Sequence, residues 1–257
     1  MSTQRVALVT GAGMGIGKAI AERLASDGFA IAVNDVNESV AKATASALEE
    51  SGTPAMAVPA DVGNREQVFA IVGAVVEKFG RLDVMVNNAG IVQVDPILSI
   101  TEADFDKLFA INVKGTLWCA QAAAQQMMTQ GGGKIINAGS VASFLGNPLL
   151  GTYGASKFCV RGLTHVMARE FADHGITVNA YCPGIVDTGM WETIDGRASE
   201  VMGTPRGTLL EKARDMITLK RLEQPEDVAK LVSFLASSDA DYITGQCMMV
   251  DGGIVMN

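Results

Sequence analysis

Val6-Ala7-Leu8-Val9-Thr10-Gly11-Ala12-Gly13-Met14-Gly15-Ile16-Gly17 joins an apolar run to a cluster of glycines. A short apolar run closed by glycines reads as a buried strand, and the helical period from Gly17 to Asp27 reads as the helix that follows it. The turn between them is rich in glycine, so its backbone can approach an anion closely. The helix N-terminus adds free N–H groups and a favourable dipole. The pattern GxGxxG fails because Ile16 stands where its last glycine would be, whereas TGxxxGxG matches at Thr10, Gly11, Gly15 and Gly17. Tight turns need glycine in any case, so this turn alone does not establish a binding site.

Working outward, short apolar runs recur at Ala30–Asn34, Ala55–Pro59, Leu82–Asn87, Lys134–Ala138, Thr177–Tyr181 and Cys247–Val250, each a strand candidate. Between them, Ser39–Glu50, Arg65–Phe79, Glu102–Thr129 and Tyr153–His174 carry apolar residues three or four apart and read as helices. Gly28, Gly80 and Gly175 follow three of the helical stretches, where a left-handed terminal residue suits glycine. Strands alternating with helices of this length require right-handed crossovers. The expected fold is therefore a single-domain, doubly wound α/β fold with a mainly parallel seven-stranded sheet and helices on both faces. Residues 184–223 lack strand signals and are rich in Met, Gly and polar residues. They read as a flap over the site with one or two short helices.

The 257 residues are 48% hydrophobic and 19% charged, enough apolar surface for one large core and too little polar bias for extended disorder. The formal charge of -8, with no basic run to reverse it locally, argues against a nucleic acid partner. No leader-like segment precedes the first strand and no apolar stretch has the length of a membrane helix, so a soluble cytoplasmic protein without a membrane partner is expected. Cys119, Cys159, Cys182 and Cys247 are scattered without metal-ligand spacing and read as buried thiols, with no metal implied.

Asp35 ends the second strand candidate, where a carboxylate can accept both hydroxyls of an adenosine ribose and repel a 2′-phosphate. Neither Met14 nor Val36 is the basic residue a phosphate would want, so NAD is favoured over NADP. Asp61 and Val62 after the third strand, and Asn87-Asn88-Ala89-Gly90 after the fourth, would edge the same crevice. Tyr153 and Lys157 lie four apart on a predicted helix and so share one face. An ammonium there is expected to bring a phenol pKa down toward the working range and make Tyr153 a general acid/base. Ser140 follows the strand candidate Lys134–Ala138, placing its hydroxyl at the carboxyl edge of the sheet.

Taken together, these motifs resemble the short-chain dehydrogenase/reductase family and match it along the whole chain: TGxxxGIG at Thr10–Gly17, NNAG at Asn87–Gly90, Asn112-Val113-Lys114-Gly115, Ser140, YxxxK at Tyr153 and Lys157, and Pro183-Gly184. The resemblance implies a Rossmann fold and an NAD-dependent oxidoreductase with Asn112, Ser140, Tyr153 and Lys157 as the catalytic set. It implies a cofactor site at Gly11, Met14, Gly15, Ile16, Gly17, Asp35, Val36, Asp61, Val62, Asn88, Ala89 and Gly90. Pro183, Gly184, Val186 and Thr188 complete it, with Tyr153 and Lys157 serving again; Lys157 would bind the nicotinamide ribose and Asn112 would hold a relay water. Relatives form tetramers, so a homotetramer is expected, with Phe109, Leu117, Trp118, Phe158 and Val166 available for contacts.

Val178–Val186 with Gly189-Met190-Trp191, Lys134–Ala138, Lys157–Thr164 and the terminal Asn257 are similar to the acetoin and diacetyl reductase branch, the 2,3-butanediol dehydrogenases. Val141, Phe144, Asn147, Met190 and Trp191 are then expected to line, with Ser140, a small pocket whose apolar walls suit methyl groups and whose amide binds a second oxygen. The substrate would be a small ketone or its secondary alcohol. A polyol dehydrogenase would need further polar groups, for which Glu192, Asp195 and Arg197 are candidates. An inactive dinucleotide sensor is the alternative of another class, and the intact catalytic set argues against it.

Overall fold

The computed structural model describes residues 4–256, so Asn257 lies outside the described residues. Within them β1 (Val6–Val9), α1 (Gly15–Ser26), β2 (Ala30–Val33), α2 (Glu38–Glu50), β3 (Ala55–Ala57), α3 (Arg65–Phe79) and β4 (Val84–Asn87) alternate strictly. The chain continues through α4 (Glu102–Phe109), α5 (Gly115–Thr129), β5 (Gly133–Ala138), α6 (Gly151–Glu170) and β6 (Ile176–Pro183). It ends with α7 (Gly189–Met202), α8 (Thr208–Met216), α9 (Pro225–Ala236) and β7 (Cys247–Val250). The sheet order is β3-β2-β1-β4-β5-β6-β7, with every neighbouring pair parallel. The winding reverses between β1 and β4, and the crevice at the carboxyl ends of those strands is where ligands of such sheets collect.

Period-two alternation explains why both faces are covered. Ala7 and Val9 point into one core with α1, α2 and α9, while Val6 and Leu8 point into the other with α3 and α5. Each such fully buried Val or Leu contributes about 1.5–3 kcal/mol by leaving water. Asn37, Asn64 and Thr101 cap α2, α3 and α4 by accepting backbone N–H bonds; no side chain caps α1, whose first N–H groups face the crevice.

Two elements depart from the sequence expectation. The stretch read as one helix, Glu102–Thr129, is interrupted by a π-helical turn at Ala110–Lys114. There Asn112 turns inward onto Ile91, and Gly115 packs so closely on Val62 that a Cβ would sit 2.8 Å from a Val62 methyl. The helix α9 was not anticipated, although Pro225 opens it and Gln224 and Asp227 cap it reciprocally. Val228, Val232 and Leu235 bury its apolar stripe against the sheet. Residues 184–223 carry α7 and α8 and no strand. Cys119 and Cys182 are buried as expected, but Cys159 is exposed because it lies on the outer face of α6. Among the described residues no helix is long and apolar enough to cross a membrane.

Candidate active site

A cavity of about 1630 Å³ runs along the carboxyl edge of the sheet from the glycine turn to the flap. Gly11 is left-handed, with φ 60°, and a Cβ on Gly17 would overlap the Gly11 carbonyl oxygen, so the turn and helix can close this tightly only without a side chain. Thr10 and Asn88 lock the turn. The Thr10 hydroxyl accepts the Asn88 and Ala89 N–H groups, and the Asn88 amide donates to the Thr10 and Gly11 carbonyls. The Asn88 Oδ1 accepts the Tyr181 hydroxyl, so this side chain shapes the cradle from behind. Gly11, Met14, Gly15, Ile16 and Gly17 border the cavity, and the uncapped start of α1 opens onto it.

Asp35 borders the same cavity. Its Oδ2 accepts Gly13 N–H at 3.1 Å and its Oδ1 accepts Asn37 N–H at 3.0 Å. A carboxylate has about four lone-pair positions, so each oxygen keeps capacity for one more donor. Val36 and Met14 are largely exposed at this end, and Asp61 and Val62 form the opposite wall. The turn, the free carboxylate capacity and the apolar walls fit an adenine dinucleotide.

At the other end stand Ser140, Tyr153 and Lys157, together with Ala89 and Gly90. Ser140 follows β5, where its hydroxyl accepts Ala142 N–H at 3.1 Å beside the Tyr153 phenol. The buried Lys157 Nζ donates to the Ala138 carbonyl at 2.8 Å and lies 5.6 Å from the centre of the Tyr153 ring. Burial pushes this amine down to about 8, so it is still mostly protonated at neutrality. The Tyr153 phenol does not follow the expected downward shift. Burial raises it, and the Ser140 hydroxyl offsets only part of the rise. The reason is burial, which disfavours the anionic phenolate. The neutral phenol is a proton donor.

Asn112 is buried but does not border the cavity. Its Oδ1 accepts Ile91 N–H at 2.9 Å, and its Nδ2 donates to the Ile91 carbonyl at 3.0 Å and to Ser156 Oγ at 3.1 Å. One Oδ1 lone pair is left. Asn112→Ala removes the partner of the part-buried Ile91 N–H and carbonyl and one of the bonds of the Ser156 hydroxyl, and should lower stability by about 1–3 kcal/mol in a urea melt; an unchanged midpoint would contradict this account of the bonds.

Of the expected substrate residues, Val141, Asn147, Met190 and Trp191 line the cavity, as do Pro183, Gly184, Val186 and Thr188. Phe144 does not. Its ring turns away beneath the Arg161 guanidinium, 4.1 Å from the ring centre. Leu149 takes part in the wall instead, in a left-handed conformation with φ 67° that the sequence gives no sign of. Ile194, Ala198 and Leu209 of the flap also line it. Their spacing from Trp191, one helical face, was the signal that could have found the first two. The three polyol candidates are otherwise engaged. Asp195 accepts Gly207 and Leu210 N–H groups at the start of α8, Arg197 pairs with Asp95 at 2.8 Å and Glu200 at 3.2 Å, and Glu192 does not reach the cavity.

A family model described as enoyl-(acyl carrier protein) reductase matches residues 11–255. The chain is similar to an (S)-acetoin-forming diacetyl reductase of Staphylococcus epidermidis, 49% identical over 253 residues and 98% of each chain. An L-2,3-butanediol dehydrogenase of Corynebacterium glutamicum is 46% identical over 256 residues, covering 98% of this chain and 99% of that one. Among solved structures, a gluconate 5-dehydrogenase of Burkholderia cenocepacia in complex with NADP and tartrate aligns with a TM-score of 0.87 at 34% identity, over 97% of this chain and 94% of that one. With the parallel seven-stranded sheet, the glycine cradle and the Ser140, Tyr153 and Lys157 cluster, these likenesses lead to one conclusion: the chain belongs to the short-chain dehydrogenase/reductase family.

Proposed function

We propose that this chain is an NAD(H)-dependent oxidoreductase that interconverts diacetyl with acetoin, and acetoin with 2,3-butanediol. The observation that carries the reading is the meeting of Ser140, Tyr153 and Lys157 in the cavity beneath Met190, Trp191 and Ile194 of the flap. Such walls suit methyl groups, and the Asn147 amide is the group that would meet a second oxygen. A polyol would bring several extra hydroxyls against the apolar Met190, Trp191 and Ile194 of the flap. The names of the diacetyl reductase and butanediol dehydrogenase relatives point the same way.

Gly11, Gly15 and Gly17 would hold the pyrophosphate against the start of α1, Asp35 the adenosine ribose, and Lys157 the nicotinamide ribose. A bound nicotinamide supplies hydride exchange with the substrate carbon. Ser140 and Tyr153 hydrogen-bond the substrate oxygen, and the Tyr153 phenol gives its proton as that oxygen gains negative charge. The Lys157 ammonium, held by Ala138, stabilises the resulting tyrosinate. Asn112 acts by fixing the Ile91 loop, and its remaining lone pair is the place for a relay water. NAD is preferred over NADP because Asp35 faces the ribose end, while the lysines lining the cavity, Lys107, Lys157 and Lys212, lie elsewhere.

Steady-state rates with diacetyl, acetoin and a β-ketoester, each with NADH or NADPH, and with sorbitol and NAD+ or NADP+, test the reading. Diacetyl with NADH should give the highest kcat/KM, and a preference for the sugar alcohol or the ester would overturn it. We further propose a homotetramer. Phe158 and Val166 of α6 are about half exposed, and Phe105 and Phe109 form a stacked pair beside them on α4. Light scattering should report four copies, and a monomer would remove the proposal.

A further inference from the structure

One residue closes the neck of the flap. Glu223 donates its N–H to the Ile185 carbonyl at 3.0 Å, and its own carbonyl accepts Asp187 N–H at 2.8 Å. Its side chain adds a third link, Oε2 accepting Gly184 N–H at 2.9 Å. The strip so held, 184–188, forms the cavity wall through Gly184, Val186 and Thr188. Glu223 is 7% exposed, and its second oxygen, Oε1, is buried with no partner.

We propose that Glu223 is a positioning residue for the cofactor: in its protonated form it holds the 184–188 strip in the shape that receives the nicotinamide end of the dinucleotide. The inference rests on the proposed use of NAD(H) by this site. The geometry favours the neutral form because Oε1 is buried without a partner, and a full negative charge left there costs more than a neutral oxygen. The charged groups facing it come from three elements. Arg221 precedes it, Asp227 lies on α9, and Asp251 follows β7; all three line a second cavity of about 540 Å³ on its far side. Asp227 already pairs with Arg221 at 2.6 Å and Lys230 at 3.6 Å, so the Arg221 charge is largely taken up and offsets only part of the effect of the two carboxylates on Glu223. Asp251 is occupied in turn with the Gly253 and Val255 N–H groups. Burial accordingly raises the Glu223 carboxyl to about 8, with Asp227 and Asp251 adding to the rise. The proton is held below that value and lost above it, so the strip is held most firmly at pH 7 and below.

The experiment compares the wild type with Glu223→Gln and Glu223→Ala. Glutamine keeps an oxygen for Gly184 N–H and cannot ionise. In the cofactor-free protein, hydrogen exchange of the 184–188 amides, corrected for intrinsic pH dependence, should quicken about 3–10-fold between pH 6.5 and 9 in the wild type and stay level in Glu223→Gln. Fluorescence titration at pH 7 should show NADH binding weakened by a similar factor in Glu223→Ala and within about twofold of wild type in Glu223→Gln. At saturating NADH, kcat should be nearly the same in all three. If the exchange of the strip shows no pH dependence, or shows the same dependence in Glu223→Gln, the proposal is wrong; an Ala variant that does not fold leaves that comparison decisive. Exchange is read without cofactor or substrate, so it separates failure of this proposal from failure of the proposed activity.

Discussion

Tyr153→Phe folds, binds NADH nearly as tightly as the wild type and loses about 10²–10⁴ of its turnover. The reasoning starts from position. Tyr153 sits on the first turns of α6, half-buried beside the Ser140 hydroxyl, and the phenylalanine ring keeps the packing while removing the single atom that can give a proton. Ser140 remains to orient the substrate oxygen, still accepting Ala142 N–H, but has no proton of matching acidity to give. Lys157 stays held by the Ala138 carbonyl, so its contact to the ribose is retained and affinity for the cofactor survives. Stopped-flow mixing of the NADH-loaded variant with diacetyl isolates the chemical step from binding. Retention of the fast phase would show that the proton comes from elsewhere.

Asp35→Ser should shift the cofactor preference by the next largest amount. The carboxylate sits at the end of β2 with capacity for two further donors, and each charge-assisted bond to a ribose hydroxyl is worth about 1.5–3 kcal/mol. Serine keeps a single neutral hydroxyl. The kcat/KM for NADH is then expected to fall about 10²-fold, while that for NADPH rises as the repulsion of a 2′-phosphate disappears. Turnover at saturating NADH should change little, since Asp35 lies at the far end of the cavity from Tyr153. An unaltered ratio of the two cofactors would show that the carboxylate serves only its Gly13 and Asn37 N–H partners.

The sheet was legible in the sequence for a physical reason. Its strands are short apolar runs buried on both faces, and runs such as Val6–Val9 and Val84–Asn87 stand out between amphipathic helices. The glycine turn and the Tyr153, Lys157 pair were legible as well, because their geometry is local: one turn of chain or one turn of helix fixes it. What depended on distant partners was not. The π turn at Asn112 exists because Ile91 and Ser156 offer bonds from other elements, and nothing within Glu102–Thr129 announces them. Phe144 was expected in the pocket by its nearness to Ser140, but Arg161, a turn along α6 from Lys157, takes its ring. The direction of the Tyr153 shift depended on burial, which is not a property of spacing. The flap wall escaped notice because Ile194, Ala198 and Leu209 acquire their role only when α7 and α8 fold back over Leu149 and Leu150.

The most direct test of the central claim, that these residues couple hydride exchange on a small vicinal ketone to proton transfer, is a single-turnover balance. The purified protein is loaded with NADH and mixed with diacetyl, and NADH loss and acetoin formation are followed together. The account predicts that each NADH oxidised yields one acetoin, in a phase abolished by Tyr153→Phe. NADH that binds and stays reduced in the presence of diacetyl and acetoin alike would contradict it.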